Sequence, residues 1–318
     1  MRSSELRTMR LLAISLVVFI GSCRPGPQTY AYKTVGELQI KADVYRFDDD
    51  VARPVVIWIH GGALIMGNRG GVSGRVIEMM LQAGYVVVSI DYRLAPETKL
   101  SSIIEDLEDA FAWVRAQGPE LFNADTSRIA VMGDSAGGYL TLTSGFRTEP
   151  RPTVLVSFWG YGDLVGTWYS QPSAYPRHNE RQISAEEAHA QVGGPPISDS
   201  RDRDGNGKLF YNYTRQNGLW PIEVSGWDPH KEPERFYPFM PVRNVTGDYP
   251  PTLLIHGTDD TDVPYEQSLM MASELEAHGV AYELVTIPGA EHGFGWLWSA
   301  TRSQAYDAAL AWVNHYMR

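Results

Sequence analysis

Short apolar runs rich in β-branched residues alternate with longer amphipathic stretches along most of the chain. The apolar runs predict six central strands, over 54–60, 85–91, 129–133, 154–159, 252–256 and 282–287. The stretches between and after them predict helices, over 74–83, 103–117, 139–146, 265–278 and 301–316. Residues 35–47 alternate apolar and polar side chains, which predicts an initial antiparallel pair of strands. This alternation indicates an α/β fold with a mostly parallel central sheet flanked by helices.

One long segment, at about 160–248, breaks the alternation and is crowded with proline, glycine, aromatic and charged residues. A structureless stretch of that length is improbable inside a compact domain. We therefore predict a cap-like insertion over the carboxyl ends of the strands, where open α/β sheets bind their ligands. An ordinary surface elaboration is the alternative. The aromatic residues that would line a pocket are Trp168, Tyr169, Tyr175, Phe210, Tyr211, Tyr213, Trp220 and Trp227.

The N-terminal segment has the pattern of an export signal. Arg2, Arg7 and Arg10 precede an apolar stretch over 11–20. That stretch is too short to span a bilayer comfortably but suits the core of a signal peptide. We therefore predict a signal peptide over 1–22.

The residues that follow leave two export routes open. The sequence IGSC at 20–23 resembles a bacterial lipobox, in which Cys23 would be lipidated after cleavage and anchor the protein to a membrane. Without lipidation the protein would be periplasmic or secreted. Cys23 is the single cysteine, so the exported domain can form no internal disulfide. A linker over 23–34 and one folded domain over 35–318 complete the predicted organisation.

Charge narrows the choice of partners. The formal net charge is −11, and the chain has no basic stripe. Because nucleic-acid binding depends on displacing counterions from phosphates, we expect no nucleic-acid partner.

The strongest chemical signal is the sequence IAVMGDSAGG at 129–138. An apolar run ends at Gly133, Ser135 stands in a G-x-S-x-G frame, and a helical pattern follows. This is the context of a nucleophile elbow, where a strand turns so sharply into a helix that the flanking residues must be small. Gly133 and Gly137 satisfy that requirement, so Ser135 is predicted to be a catalytic nucleophile.

A serine nucleophile needs a base to take its proton. Three histidines lie near the C-terminus. His278 ends a predicted helix just before Gly279, which favours a capping role, and His315 lies within the terminal helix. His292 instead lies in a turn after the last predicted strand, so we predict it as the base.

An acid must then orient the imidazole. The loop over 257–264 follows a predicted strand and carries three carboxylates, Asp259, Asp260 and Asp262. Their spacing favours none of the three.

Two further segments have candidate binding roles. The sequence HGGA at 60–63 follows a strand, and the N–H groups of Gly61 and Gly62, with that of Ala136, are predicted to form an oxyanion hole.

Asp202, Asp204 and Asn206 match the first half of a calcium-binding loop. Tyr213 occupies the twelfth position, where such a loop needs a bidentate glutamate. A turn of solvated acids is therefore the alternative, and we predict no metal.

Several of these segments together resemble a known family. HGGA at 60–63, DYRLAPE at 91–97 and GDSAGG at 133–138 resemble the α/β-hydrolase esterases related to hormone-sensitive lipase. HGTDDTDVP and GAEHGF are similar to feruloyl-esterase-like and acetyl-esterase relatives. The resemblance covers the chain from about residue 35 onward. It implies the α/β-hydrolase fold and assigns Asp260 as the triad acid, with Asp262 in reserve.

The resemblance also implies an activity, the hydrolysis of a carboxylic ester through an acyl-enzyme without a cofactor. Ser135 would attack, His292 would shuttle the proton and Asp260 would hold His292. The expected substrates are short-acyl or polysaccharide-linked esters. Residues 91–97 and Asp134 are expected to be structural or orienting. A serine peptidase on the same fold, and a non-catalytic exported binding protein on a hydrolase scaffold, are the alternatives.

Overall fold

The computed structural model describes residues 26–294 and 299–318. The predicted signal peptide over 1–22 and Cys23 lie outside the described residues. In the part of the chain that is described, no helix has both the length and the apolar character needed to cross a membrane.

An eight-stranded sheet runs through the molecule. Its strands are β1 (Gln28–Val35), β2 (Leu38–Tyr45), β3 (Arg53–Ile59), β4 (Val86–Ile90), β5 (Ala124–Asp134), β6 (Val154–Phe158), β7 (Thr252–Gly257) and β8 (Tyr282–Ile287). Their order across the sheet is β1-β2-β4-β3-β5-β6-β7-β8. β1 pairs antiparallel with β2, and β2 with β4, whereas all pairings from β4 to β8 are parallel. The predicted mostly parallel sheet is thus confirmed.

Helices cover both faces of the sheet. The main ones are α1 (Gly74–Gln82), α2 (Leu100–Phe122), α3 (Ala136–Arg147), α9 (Glu266–Ala277) and α10 (Ser299–Met317). Alternate residues along each strand face opposite layers, because successive side chains of a strand point to opposite faces. In β3, for example, Val56 packs with α1 and α10, whereas Ile57 packs with α2 and α3.

The insertion over 160–248 joins β6 to β7. It contains the short helices α4 (Thr167–Ser170), α5 (Pro176–Asn179), α6 (Ala185–His189), α7 (Lys208–Asn217) and α8 (Trp220–Ser225), with several 3₁₀ turns. Tyr169, Phe210 and Trp220 are buried within it, whereas Tyr175 is 41% exposed. Its aromatic residues therefore serve largely as the core of the insertion.

The start of the domain differs from the prediction. β1 begins at Gln28, inside the segment predicted as a linker over 23–34, and its hairpin with β2 turns between Val35 and Leu38. The predicted start at residue 35 is therefore wrong. β1 is an edge strand with no buried residue, so its sequence lacks the strong apolar alternation by which a half-buried strand is recognised.

Candidate active site

Ser135 occupies the turn between β5 and α3. Its backbone is strained, with φ 54° and ψ −119°, a conformation that non-glycine residues adopt rarely and mostly at functional sites. The flanking glycines make the turn possible: a Cβ on Gly133 would lie 2.4 Å from the carbonyl oxygen of Gly137, and one on Gly137 would lie 2.0 Å from that of Ile59. The predicted strand, turn and helix are all present.

The structure brings the three predicted side chains together. Nε2 of His292 lies 3.1 Å from Oγ of Ser135, and Nδ1 lies 2.7 Å from Oδ2 of Asp260. Because the Asp260 carboxylate can only accept a hydrogen bond, Nδ1 of the neutral imidazole carries the proton and donates it to Asp260. Nε2 is then unprotonated and can accept the proton of the serine hydroxyl. The three residues come from the ends of β5, β7 and β8, which meet at one edge of the parallel sheet.

The electrostatics around His292 favour the protonated form of its imidazole. Burial opposes the charged form, but the carboxylates of Asp260 and Asp262 outweigh it and raise the pKa of His292. Burial also opposes ionisation of Asp260, but His292 and His256 outweigh it and lower the pKa of Asp260 to about 2. Asp260 is therefore a carboxylate at any working pH.

The other two carboxylates of the same loop have different partners. Asp259 is exposed and accepts a hydrogen bond from the Thr258 hydroxyl. Asp262 turns toward the insertion, where its Oδ1 accepts from His178, Tyr211 and Arg215. The geometry thus places Asp260, and not Asp262, on Nδ1 of His292.

The loop after β3 requires one correction. The N–H of Gly61, predicted as an oxyanion donor, donates to Oδ1 of Asp134 at 2.9 Å and is not free to bind a substrate oxygen. Gly62, at φ +115°, remains a candidate donor. Ala136 also remains one, because as the first residue of α3 its N–H has no carbonyl one turn earlier in the helix.

The loop after β3 turns tightly. Gly62, Ala63 and Leu64 have positive φ in succession, and the N–H groups of Ile65 and Met66 donate back to the carbonyl oxygen of Gly62. Trp220 of the insertion donates from Nε1 to the carbonyl oxygen of Ala63 at 2.9 Å. The insertion therefore helps to hold the loop.

Residues 91–97 have supporting contacts. Asp91 accepts from the backbone and guanidinium of Arg69, and Arg93 pairs with the buried Asp106 at 2.7 Å. The Tyr92 hydroxyl donates to the carbonyl oxygen of His60, next to the glycine loop. Among the described residues, none of these side chains forms a hydrogen bond or ion pair with Ser135 or His292.

The remaining candidates lie elsewhere. His278 is at the C-terminal end of α9, where its Nδ1 lies 2.9 Å from the carbonyl oxygen of Glu274, and His315 lies in α10. Oδ1 of Asn206 accepts from the backbone N–H of Lys208 at the start of α7. Among the residues described, no group of three or more His, Cys, Asp or Glu side chains is arranged to hold a metal ion. The calcium alternative at Asp202, Asp204 and Asn206 stays a prediction.

Sequence reasoning missed a charged cluster between the insertion and the loop after β7. It consists of Asp262, His178, Tyr211 and Arg215, with Arg177 at its edge. The sequence signal for it was weak, because the insertion is only slightly richer in charged residues than the rest of the chain.

Comparison with known proteins agrees with the fold. A family profile described as the alpha/beta hydrolase fold matches residues 56–295, which is most of the chain. This protein therefore belongs to the alpha/beta hydrolase fold family.

Individual relatives are more distant. The chain is 28% identical over 359 aligned residues to a non-reducing polyketide synthase of Preussia isomera, covering 98% of this chain but only 14% of the synthase. A solved esterase of Thermogutta terrifontis with bound butyrate superimposes with a TM-score of 0.64 at 20% identity, covering 92% of this chain and 94% of that one. A truncated carbohydrate esterase from gut microbiota gives a TM-score of 0.65 at 19% identity, covering 93% and 96%.

Proposed function

We propose that this protein is a serine carboxylesterase that hydrolyses esters through an acyl-enzyme. The observation that carries the proposal is the pair of contacts from His292, 3.1 Å to Oγ of Ser135 and 2.7 Å to Oδ2 of Asp260. This is the geometry in which a histidine can remove a serine proton while a carboxylate holds its tautomer.

Each proposed step uses a group already at the site. His292 takes the proton of Ser135 as the hydroxyl oxygen attacks the ester carbonyl, and Asp260 stabilises the resulting imidazolium. The N–H groups of Gly62 and Ala136 bind the oxyanion. His292 then gives the proton to the departing alcohol, and a water molecule activated by the same imidazole releases the acid.

For the substrate we propose esters with a short acyl group, including acylated polysaccharides. The support is a set of buried aromatic rings, those of Tyr161, Tyr169 and Trp220, which pack on one another next to the glycine loop and would limit the space for a long acyl chain. The butyrate bound to the Thermogutta terrifontis esterase, and the likeness to a carbohydrate esterase from gut microbiota, are in keeping with it.

The test is a panel of p-nitrophenyl esters of increasing acyl length, assayed beside aminoacyl amides. We expect hydrolysis of the shortest esters and a loss of about 10⁴-fold or more in kcat for Ser135→Ala. A fluorophosphonate probe should label the wild type and not this variant. Preferential amide cleavage would support a peptidase instead, and absence of labelling would support a non-catalytic binding protein.

We also propose that the protein is exported, either anchored through a lipid on Cys23 or released after cleavage of the signal peptide. The support is the pattern of Arg2, Arg7 and Arg10 ahead of the apolar stretch over 11–20. Expression in bacteria with radiolabelled palmitate tests the anchor. Label that persists in Cys23→Ser would exclude lipidation at this cysteine.

A further inference from the structure

The imidazole of His292 lies between two carboxylates, of which the proposed triad uses only one. Nδ1 contacts Oδ2 of Asp260 at 2.7 Å. On the opposite side of the ring, Nε2 lies 3.8 Å from Oδ2 of Asp262. Nε2 is also the atom that faces Ser135, so Asp262 lies on the side of the imidazole where substrate must bind.

The two oxygens of the Asp262 carboxylate have different surroundings. Oδ1 accepts three hydrogen bonds, from Nε2 of His178 at 2.9 Å, from Nη1 of Arg215 at 3.1 Å and from the Tyr211 hydroxyl. Throughout residues 26–294 and 299–318, no hydrogen bond ends on Oδ2. Its nearest cation is Nη2 of Arg177, at an ion-pair distance of 3.4 Å. Oδ2 is thus a fixed acceptor with unused capacity.

This acceptor is ionised, and its side chain is not completely buried. Burial opposes the charge of Asp262, but His292, His178 and Arg215 outweigh it and hold the pKa of the carboxyl well below its usual range. The side chain of Asp262 is 11% exposed and that of His292 is 14% exposed, so both keep some accessible surface. An ionised carboxylate can accept hydrogen bonds but cannot donate them.

The proposed reaction defines what would face Oδ2. The proton on Nε2 of His292 passes to the ester oxygen of the leaving alcohol, so that oxygen must lie about 3 Å from Nε2. A hydroxyl oxygen on the next carbon of the alcohol is about as far from the ester oxygen as a hydrogen-bond partner would be. Given the 3.8 Å between Nε2 and Oδ2 of Asp262, such a hydroxyl can reach Oδ2.

We propose that Oδ2 of Asp262 binds a hydroxyl adjacent to the ester oxygen, and that the preferred substrates are monoesters of vicinal diols, the arrangement found in partly acylated sugars. This inference rests on the ester hydrolysis proposed above. It makes Asp262 a specificity residue for the alcohol, separate from the acyl-binding side of the site.

The test compares 2-hydroxyethyl acetate with 2-methoxyethyl acetate. Both alcohols carry an electron-withdrawing oxygen at the same position, but only the first can donate a hydrogen bond. We expect the wild type to favour the hydroxyethyl ester by about tenfold in kcat/KM, after correction for the rates of hydroxide-catalysed hydrolysis, because a hydrogen bond to a charged group discriminates by about that factor. Each variant is assayed on the plateau of its own pH profile.

Asp262→Asn is the critical variant. Three donors surround Oδ1, so the amide oxygen takes that position and the NH₂ group takes the position of Oδ2. The NH₂ group donates to a hydroxyl and to an ether alike. The ratio of kcat/KM for the hydroxyethyl ester to that for the methoxyethyl ester is therefore expected to fall to within about twofold of one. Tyr211→Phe is the matched control, since it removes one donor from Oδ1 and leaves Oδ2 in place; its ratio should stay near that of the wild type.

The outcomes separate this inference from the proposed function. p-Nitrophenyl acetate has no such hydroxyl, so its hydrolysis by the wild type tests ester hydrolysis alone. A wild-type ratio near one would overturn the inference without any variant. An unchanged ratio in Asp262→Asn would overturn it as well, and assign the preference to another group.

Discussion

Asp260 and Asp262 are two positions apart in one loop, yet the fold gives them different partners. Oδ1 of Asp260 accepts the backbone N–H groups of Asp262 and Val263 at 2.9 and 2.8 Å, which orients its Oδ2 toward His292. Asp262 points the other way, into the insertion, and reaches His292 only with its second oxygen. Two negative charges therefore act on one imidazole through opposite nitrogens, and both raise its pKa.

The pH dependence of kcat/KM tests this arrangement. A base must be neutral to act, so activity should rise with pH through a limb set by the pKa of His292, above the usual value of about 6.5. Asp262→Asn removes a charge that stabilises the imidazolium, lowers the pKa of His292 and moves the limb to lower pH. A limb that does not move would show that Asp262 has no influence on the base.

Asp260→Asn should behave differently from Asp262→Asn. It also lowers the pKa of His292, but in addition it removes the acceptor that fixes the imidazole tautomer, so kcat is expected to fall by about 10⁴-fold. Steady-state kinetics on p-nitrophenyl acetate distinguish the two variants. A larger loss in Asp262→Asn than in Asp260→Asn would reverse the assignment of the triad acid.

At the scale of elements, the site depends on a close approach between β3, β5 and α3. The strained backbone of Ser135 is held by a hydrogen bond from its N–H to the carbonyl oxygen of Phe158 at 2.9 Å. On the other side, Gly137 lies against the carbonyl oxygen of Ile59 at the end of β3. The strand that leads into the glycine loop therefore also supports the serine turn.

Gly137→Ala should disrupt this packing. The added Cβ would lie 2.0 Å from the Ile59 carbonyl oxygen, and a backbone atom in a central strand cannot move away easily. We expect the free energy of unfolding in urea to fall by about 3 kcal/mol, with loss of activity. Gly247→Ala is the control, because its Cβ would meet its nearest atom at 3.7 Å, an ordinary contact; a change of no more than about 0.5 kcal/mol is expected there. Equal effects in both variants would contradict the packing argument.

At the scale of the whole molecule, the contacts that fasten the insertion to the edge of the sheet carrying Ser135 include one to the glycine loop and one to the loop after β7. Trp220 donates to the glycine loop, and Arg215 binds the loop after β7. The guanidinium of Arg215 is 2% exposed and lies 4.8 Å from the ring centroid of Tyr169. A buried cation and the buried carboxylate of Asp262 thus join the two parts of the fold.

Removing one partner of this buried pair should be costly. Arg215→Met leaves Asp262 without its most buried cation, and the expected loss is about 3–5 kcal/mol in the free energy of unfolding. Arg243→Met is the control, since Arg243 is also in the insertion and lies 3.9 Å from the Tyr237 ring but is exposed. The free energy of unfolding of Arg243→Met should fall by no more than about 1 kcal/mol. Urea denaturation measures both, and similar losses would argue against the buried pair as the main fastening.

Sequence alone determined the class of fold and the strands that the candidate site residues follow along the chain. It also singled out Ser135 and His292 as candidates. These features are encoded locally. A continuous apolar run indicates a buried strand, and small residues two positions before and after the serine indicate the sharp turn. The edge strand β1 was not predicted, because none of its residues is fully buried and its sequence lacks a clear apolar alternation.

The spacing of residues left three neighbouring carboxylates open and the family resemblance pointed to Asp260. Only the tertiary structure showed which of them meets His292, which glycine N–H is already bonded, and what the charged residues of the insertion bind. Asp134 takes the N–H of Gly61 across 73 positions, and His178 reaches Asp262 across 84. Contacts of such separation depend on how the strands and the insertion pack in space, and side-chain direction at the end of a strand is set by that packing. Local sequence patterns therefore do not predict these contacts.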